Sequence, residues 1–184
     1  MTRSTIEITT TPDDHRIARL AAIAIGLHLV ESVMPSPLPG VKPGIANIIT
    51  LYVLYRFDFA TAAWVSLLRV VAGSLLLGSF LSPAFVLSLT GAITSLTMLF
   101  FSARLPGKWF GPVTLSILAA FAHIAGQLLI VRIWLIPHAG VAYLIPVFAA
   151  AALFFGLVNG LITAQLLRDN GKLPSFSASK GLVE

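Results

Sequence analysis

The sequence predicts an all-α integral membrane protein, a bundle of six transmembrane helices with both termini in the cytoplasm. Of its 184 residues, 57% are hydrophobic and only 10% are charged, whereas a soluble domain is typically about 25% charged. Long apolar stretches alternate with short polar or Pro/Gly-containing breaks. Six spans of about 20 residues each would use about 120 residues. The remainder suffices for short loops, so we expect no second folded domain.

Lysine and arginine residues predict the orientation of the bundle. They cluster at every second boundary between apolar stretches, at positions 3, 16 and 19, at 56, at 104 and 108, and at 168, 172 and 180. The intervening boundaries, near 35–44, 80–83 and 137–141, hold one cationic residue, Lys42. Short loops rich in Lys and Arg stay in the cytoplasm. We therefore expect a multi-pass protein of the bacterial inner membrane that binds its ligand at the intervening, outer boundaries.

The first span is predicted over residues 17–34. Residues 1–14 are polar and are predicted to be disordered, with Asp13 and Asp14 available to cap the helix that follows. The stretch is not a convincing signal peptide, because it contains Glu31 and ends in prolines rather than at a small-residue cleavage site. A segment with four prolines and two glycines, residues 35–44, then ends any helix.

The second span, residues 45–55, is short, since eleven helical residues rise only about 17 Å against a hydrocarbon core of about 30 Å. We keep it as a span because five spans would place Arg104 and Lys108 outside. Spans three to six are predicted over 59–80, 83–101, 113–136 and 141–167. Ser82 and Pro83 are typical of a helix start. The transmembrane domain thus covers residues 15–168, and residues 169–184 form a cytoplasmic tail.

Composition and motifs exclude several functions. The net charge of +5 belongs to the cytoplasmic rim, where it sets topology and meets anionic lipid, so we expect no nucleic-acid partner. The absence of cysteine excludes thiolate metal sites. The sequence has no P-loop, no H-E-x-x-H, no G-x-S-x-G and no aspartate-rich metal motif. We therefore expect no catalytic activity, no metal and no cofactor.

Polar residues inside the apolar stretches are the candidates for ligand binding. Arg69 lies near the middle of the third span, where a cation is costly and needs a partner. Glu31 is the only acid inside an apolar stretch, and it shares a helix face with His28. The predicted substrate-binding residues are Glu31, Lys42, Asn47, Arg69, His123, Gln127 and Asn159.

Two interpretations of these polar residues remain open. Glu31 and Arg69 form an ion pair while the amides and histidines tie helices together, or the set lines a ligand-binding pocket. In a pocket, the cations Lys42, Arg69 and Arg132 would outnumber the acids. The ligand would then carry carboxylate or phosphate groups.

Two helices carry stripes of small residues at four-residue spacing. One is Ala18, Ala22 and Gly26 on the first span, and the other is Ala152, Gly156, Gly160 and Ala164 on the sixth. Small residues let two backbones approach closely within lipid. Each stripe either packs inside this bundle or, on the first span, docks onto a partner helix.

The run Pro39-Gly40-Val41-Lys42-Pro43-Gly44-Ile45-Ala46-Asn47-Ile48-Ile49-Thr50-Leu51 resembles a family signature. It is similar to the pattern P-x-P-G-x-K-x-G-x-A-N-(I/V)-(I/V)-T-L of the Gx transporter family, also labelled heptaprenyl diphosphate synthase component I. Pro43 departs from the pattern, where an apolar residue is commoner. Arg69-Val70-Val71 follows at the expected distance.

That family resembles the substrate-binding (S) components of energy-coupling factor transporters. The resemblance implies a six-helix subunit that binds a small, anionic vitamin-, flavin- or isoprenoid-related molecule from the outside, with residues 35–44 as a gate. It also implies docking, through Ala18, Ala22 and Gly26, onto a transmembrane coupling protein with two ATPases. The alternative is a non-catalytic accessory subunit of an isoprenoid diphosphate synthase or of a flavin/quinone-linked redox assembly. A membrane enzyme using Glu31 and His28 as acid and base is a third interpretation.

Overall fold

Six α-helices account for most of the chain that the structure describes. The computed structural model describes residues 11–34, 43–102 and 110–169, and these contain no strand. The helices are α1 Pro12–Val33, α2 Ala46–Arg56, α3 Phe59–Leu76, α4 Pro83–Ser102, α5 Pro112–Ile130 and α6 Ile145–Asp169. A π-helical segment, Val131–Leu135, continues α5, and a 3-10 segment, Ala139–Leu144, precedes α6. The all-helical prediction is confirmed for the described residues.

The helix α1 begins five residues before the predicted start of the first span. The Thr11 hydroxyl accepts a hydrogen bond from the Asp14 backbone N–H at 3.3 Å, and the Asp14 carboxylate accepts one from the Thr11 backbone N–H at 2.8 Å. This reciprocal pair is a capping box, which fixes where a helix starts. The bonds from the Thr11 backbone and side chain also lower the pKa of the Asp14 carboxyl. The cap is therefore Thr11, with Asp14 assisting, and the helix extends into the segment predicted to be disordered.

The turn between α3 and α4 fits the predicted helix start closely. The Ser82 hydroxyl accepts from the Phe85 backbone N–H at 3.3 Å, and Pro83 is the first helical residue. The preceding helix, α3, ends at Leu76, four residues before the predicted end at Phe80. Gly78 has φ +66°, a conformation that glycine adopts readily and that terminates helices.

Among the described residues, four segments are long and apolar enough to cross a membrane. They are Phe59–Leu76, Pro83–Ser102, Pro112–Leu135 and Ala139–Asp169. The helix α1 has 22 residues but includes Arg16, Arg19 and Glu31, and α2 has only 11 residues. The described residues are therefore those of a multi-pass membrane protein. The other two helices, α1 and α2, do not meet the length and hydropathy criteria alone, so their packing against neighbouring helices holds them in the bundle.

The small-residue stripe of α6 packs against α5. A Cβ added at Gly160 would lie 2.7 Å from the Val113 Cα atom, and one added at Gly156 would lie 3.0 Å from the Ile117 Cα atom. The two backbones therefore approach as closely as glycine allows. The stripe of α6 therefore packs inside the bundle, which is one of the two roles predicted for such stripes.

The small-residue stripe of α1 lies on the surface instead. Ala18, Ala22 and Gly26 are exposed. A Cβ added at Gly26 would meet nothing within 4 Å. No described helix of this chain covers that face.

The short α2 is held by a buried apolar cluster that joins it to α3, α4, α5 and α6. Its members are Leu51, Val53, Leu54, Tyr55, Ala62, Leu99, Leu115, Ala119 and Leu167. The Tyr55 hydroxyl also donates to the Phe110 carbonyl oxygen at 3.1 Å. This packing fixes the C-terminal half of α2, while its first turn faces the cavity described next.

Candidate functional site

A cavity of about 250 Å³ lies at the centre of the bundle, and all six helices contribute to its lining. This volume is close to the lower end of the range for ligand pockets, about 300 Å³. Six of the seven predicted binding residues line this central cavity: Glu31, Asn47, Arg69, His123, Gln127 and Asn159. The seventh, Lys42, lies outside the described residues, as does most of the predicted gate. Apolar side chains that share the lining include Leu51, Val70, Leu87, Leu99, Ile124 and Phe155.

Glu31 caps the start of α2. Its carboxylate accepts hydrogen bonds from the backbone N–H groups of Gly44 and Ile45, the second at 3.2 Å. The first N–H groups of a helix lack partners within the helix, and the helix dipole favours an anion there. Gly44 turns the chain with φ +71°, which suits glycine. The position of Glu31 just before a Pro/Gly break was the available sequence signal for this role, which our sequence analysis missed.

Asn159 holds the same turn from the opposite side. Its side-chain amide donates to the carbonyl oxygens of Pro43 and Gly44, at 3.0 and 3.2 Å. Residues 43–45, which we call the α2 corner, are thus tied to α1 by Glu31 and to α6 by Asn159. Both side chains line the cavity, yet part of their hydrogen-bonding capacity is already used for structure.

Arg69 is buried, with 5% of its surface exposed. Its Nη2 donates to the Asn47 side-chain oxygen at 3.0 Å, which connects α3 to the first turn of α2. The Glu31–Arg69 ion pair, one of the two interpretations left open by the sequence, is not formed as a direct contact, because the only ion pair between described residues joins Arg16 to Asp13 at the surface, at 3.2 Å. Glu31 is instead engaged at the α2 corner, so Arg69 has no described carboxylate within salt-bridge distance.

Two glycines make room for the two histidines of the lining. A Cβ added at Gly91 would lie 2.6 Å from the His123 ring, and one added at Gly73 would lie 2.7 Å from the His28 ring. The imidazole of His123 is therefore held against α4, and that of His28 against α3. Neither glycine was singled out from the sequence, because the contacts depend on which helices become neighbours.

Three buried polar atoms have no hydrogen-bond partner within the described parts of the chain. They are Thr50 Oγ1, Arg69 Nε and His123 Nδ1. Most buried polar groups in folded proteins are paired, so such exceptions need an explanation. All three residues line the central cavity. Thr50 was not among the predicted binding residues, although it lies three residues after Asn47 and so shares its helix face.

The described residues include no cluster of three or more His, Asp or Glu side chains that could hold a metal ion. The polar groups of the cavity are a cation, amides, imidazoles and hydroxyls around one carboxylate that is already engaged. This set of side chains can bind an acceptor-rich or anionic organic molecule. It offers no second carboxylate for acid–base chemistry or for holding a divalent cation.

The fold and site define a helical membrane protein with a mostly apolar internal cavity and a few converging polar groups. The chain belongs to the heptaprenyl diphosphate synthase component I family, whose model matches residues 20–166. The family predicted from the motif at residues 39–51 is thus confirmed. Its name suggests a membrane-associated component of heptaprenyl diphosphate synthase and implies partnership with another synthase component. No curated protein and no solved structure matches the chain significantly.

Proposed function

We propose that the protein is the substrate-binding subunit of a membrane transporter, resembling the S components of energy-coupling factor transporters. In this proposal it binds a small anionic molecule, related to a vitamin, a flavin or an isoprenoid, in the central cavity. It is not an enzyme and carries no cofactor. Transport follows when the loaded bundle reorients relative to a coupling protein with two ATPases, and residues 35–44 act as the outer gate.

The proposed topology has six spans, with both termini in the cytoplasm of the bacterial inner membrane. The charged residues of α1 are near its ends, where the membrane interface tolerates them. The guanidinium of Arg16 lies 5.0 Å from the centre of the Phe57 ring. This contact brings the start of α1 beside the turn between α2 and α3, as expected when both lie on one side of the membrane.

The observation that carries the proposal is Arg69, a buried cation that forms no salt bridge with a described residue, in a cavity that all six described helices line. A charge at this depth is costly unless it is paired. A ligand carboxylate or phosphate would supply the missing partner, and a guanidinium binds such groups with strong, directional hydrogen bonds.

We expect Arg69→Ala and Asn47→Ala to lower ligand occupancy, the first by at least about tenfold, because charge-assisted hydrogen bonds are lost. The measurement is native mass spectrometry of gently purified protein, which counts the fraction of chains that retain a small molecule. Arg132→Ala is the matched control, since Arg132 is exposed and does not line the cavity. If both cavity variants fold and keep wild-type occupancy and uptake, the site assignment is wrong.

The exposed face of α1 is the proposed docking surface for the coupling protein. We expect Ala22→Leu and Gly26→Leu to abolish co-purification of that partner from membranes, because bulky side chains prevent close helix approach. The stability of the isolated subunit should not fall, since both residues are exposed. Ala125→Leu, at an exposed position on α5, is the control. Unchanged co-purification in all three variants would count against this surface.

A second candidate is a non-catalytic accessory subunit that presents a lipid-soluble substrate to an isoprenoid diphosphate synthase. The family name and the mostly apolar cavity lining favour it. The two candidates differ in how the cavity is reached. The test uses the single-cysteine variants His28→Cys and Leu87→Cys. Labelling by a water-soluble reagent added from outside supports uptake. Labelling only by a lipid-soluble reagent supports the accessory role.

A further inference from the structure

Thr50 differs from three other threonines that lie within the described helices. Thr94, Thr97 and Thr163 donate to the carbonyl oxygen four residues back in their own helix, at 2.8–3.0 Å. Thr50 is only 5% exposed, and its hydroxyl makes no such bond. A buried hydroxyl without a partner costs free energy. Its place in the cavity lining suggests that the partner comes from a ligand.

Thr50 lies on the same helix face as Asn47, the residue that binds Arg69. Asn47 and Thr50 are three residues apart on α2, so their side chains are neighbours about 5–6 Å apart on one face. The Asn47 side-chain oxygen accepts a hydrogen bond from Arg69 Nη2. This bond uses one of the five N–H groups of the guanidinium. The remaining N–H groups of Arg69, including Nε, make no hydrogen bond to described residues.

The rest of the described lining supplies one more buried polar atom without a hydrogen-bond partner, and its surface is largely apolar. His123, on α5, has an unpartnered Nδ1, and its ring is fixed against Gly91. Around these groups the lining is aliphatic and aromatic, with Leu51, Leu99, Ile124 and Phe155. An acid with an apolar body would match both parts of this surface.

We propose that the ligand is an amphipathic acid with a second polar group about 5 Å from its acidic group, the distance that separates neighbouring side chains on one helix face. The acidic group pairs with Arg69 beside Asn47. The second group accepts from Thr50, and the His123 imidazole on α5 offers it a further polar contact. The rest of the molecule is apolar. One acidic group suffices, because Arg69 is the one unpaired cation among the described lining residues. This inference rests on the proposed binding function and makes Thr50 a ligand-binding residue.

The class of ligand is testable with rigid, water-soluble probes of matched shape. The probes are 2-naphthoate, 2-naphthyl phosphate and the neutral 2-naphthamide, titrated against the full chain in nanodiscs of neutral lipid. We expect the anions to bind at least about tenfold more tightly than the amide, and Arg69→Gln to remove that preference. The ratio between the two anions tells whether a carboxylate or a phosphate is preferred.

The role of Thr50 is tested by adding a hydroxyl to the acid. In 4-hydroxy-2-naphthoate the hydroxyl is meta to the carboxylate, and we expect about 3- to 10-fold tighter binding than for 2-naphthoate, the gain from one hydrogen bond. Thr50→Val should lose this gain and Thr50→Ser should keep it. Thr97→Val is the control, because Thr97 bonds within its own helix and does not line the cavity. Without ligand, Thr50→Val should be at least as stable as wild type.

Several results would overturn the inference. They are equal binding of amide and anions, no binding of either anion, an anion preference that survives Arg69→Gln, and a hydroxyl gain that survives Thr50→Val. Native mass spectrometry of the wild-type protein separates this failure from failure of the proposed function. A retained neutral molecule would leave the binding role intact and remove the acid class. The absence of any retained molecule and of uptake would remove both.

Discussion

Glu31→Ala is expected to lower the free energy of unfolding by about 2–4 kcal/mol, the combined effect of a lost helix cap and of charge-assisted hydrogen bonds. The carboxylate accepts from the backbone N–H groups of Gly44 and Ile45. Without it, these groups lose their acceptor, and no carbonyl oxygen within α2 can replace it, because the first N–H groups of a helix have no intrahelical partner. The measurement is unfolding in mixed micelles with increasing fractions of denaturing detergent.

The matched control for Glu31→Ala is Ser32→Ala. The Ser32 hydroxyl donates to the Leu29 carbonyl oxygen of its own helix at 2.7 Å, so its loss should have little effect. Glu31→Gln keeps an acceptor oxygen without the charge and should fall between the two. If Glu31→Ala is as stable as Ser32→Ala, the capping role is wrong and Glu31 is free to bind a ligand.

The placement of the site could be predicted from the sequence because polar residues in apolar helices must face the interior of the bundle. A cation such as Arg69 or an amide such as Asn159 is costly against lipid, so it turns toward the bundle interior. With six helices around one centre, residues from different spans then meet in the same cavity. Six of the predicted residues line it for this reason.

The partners within the site could not be predicted, because they depend on depth and on folding of the chain between spans. Glu31 is the only acid inside an apolar stretch and Arg69 is the cation nearest the middle of a predicted span, yet Glu31 binds the α2 corner instead. That outcome requires Gly44 and Ile45 to lie beside the C-terminal end of α1. Sequence spacing does not give that position.

The two small-residue stripes show the same limit. Both repeat every four residues, yet the stripe of α6 is packed against α5 and that of α1 is exposed. A periodic pattern identifies a face that allows close approach, but it does not identify the neighbour. The neighbour depends on how the helices are arranged in the folded bundle, so the same sequence pattern has two outcomes.

The α2 corner and the candidate ligand site share one short stretch of chain. The corner, residues 43–45, is held by Glu31 and Asn159. Asn47 begins the next helical turn and binds Arg69. In the proposed mechanism, a ligand acid pairs with Arg69 beside Asn47 and therefore binds one helical turn from the corner. A substitution at the corner can then affect both the stability of the bundle and ligand binding.

Gly160→Ala should destabilise the bundle by about 1–3 kcal/mol, the usual effect of overpacking. The added Cβ would lie 2.7 Å from the Val113 Cα atom and 3.0 Å from the Ser116 Cβ atom. The first of these contacts is with backbone, which cannot move aside without separating α5 from α6. The thermal midpoint of the purified protein in detergent is the measurement.

Gly26→Ala is the control, and its effect should have the opposite sign. Its new Cβ meets nothing within 4 Å, and alanine is favoured over glycine inside a helix by about 0.5–1 kcal/mol. The thermal midpoint should therefore rise slightly. The same chemical change in two helices then separates steric crowding from helix propensity. A Gly160→Ala protein as stable as Gly26→Ala would mean that α5 and α6 are not in the close contact described.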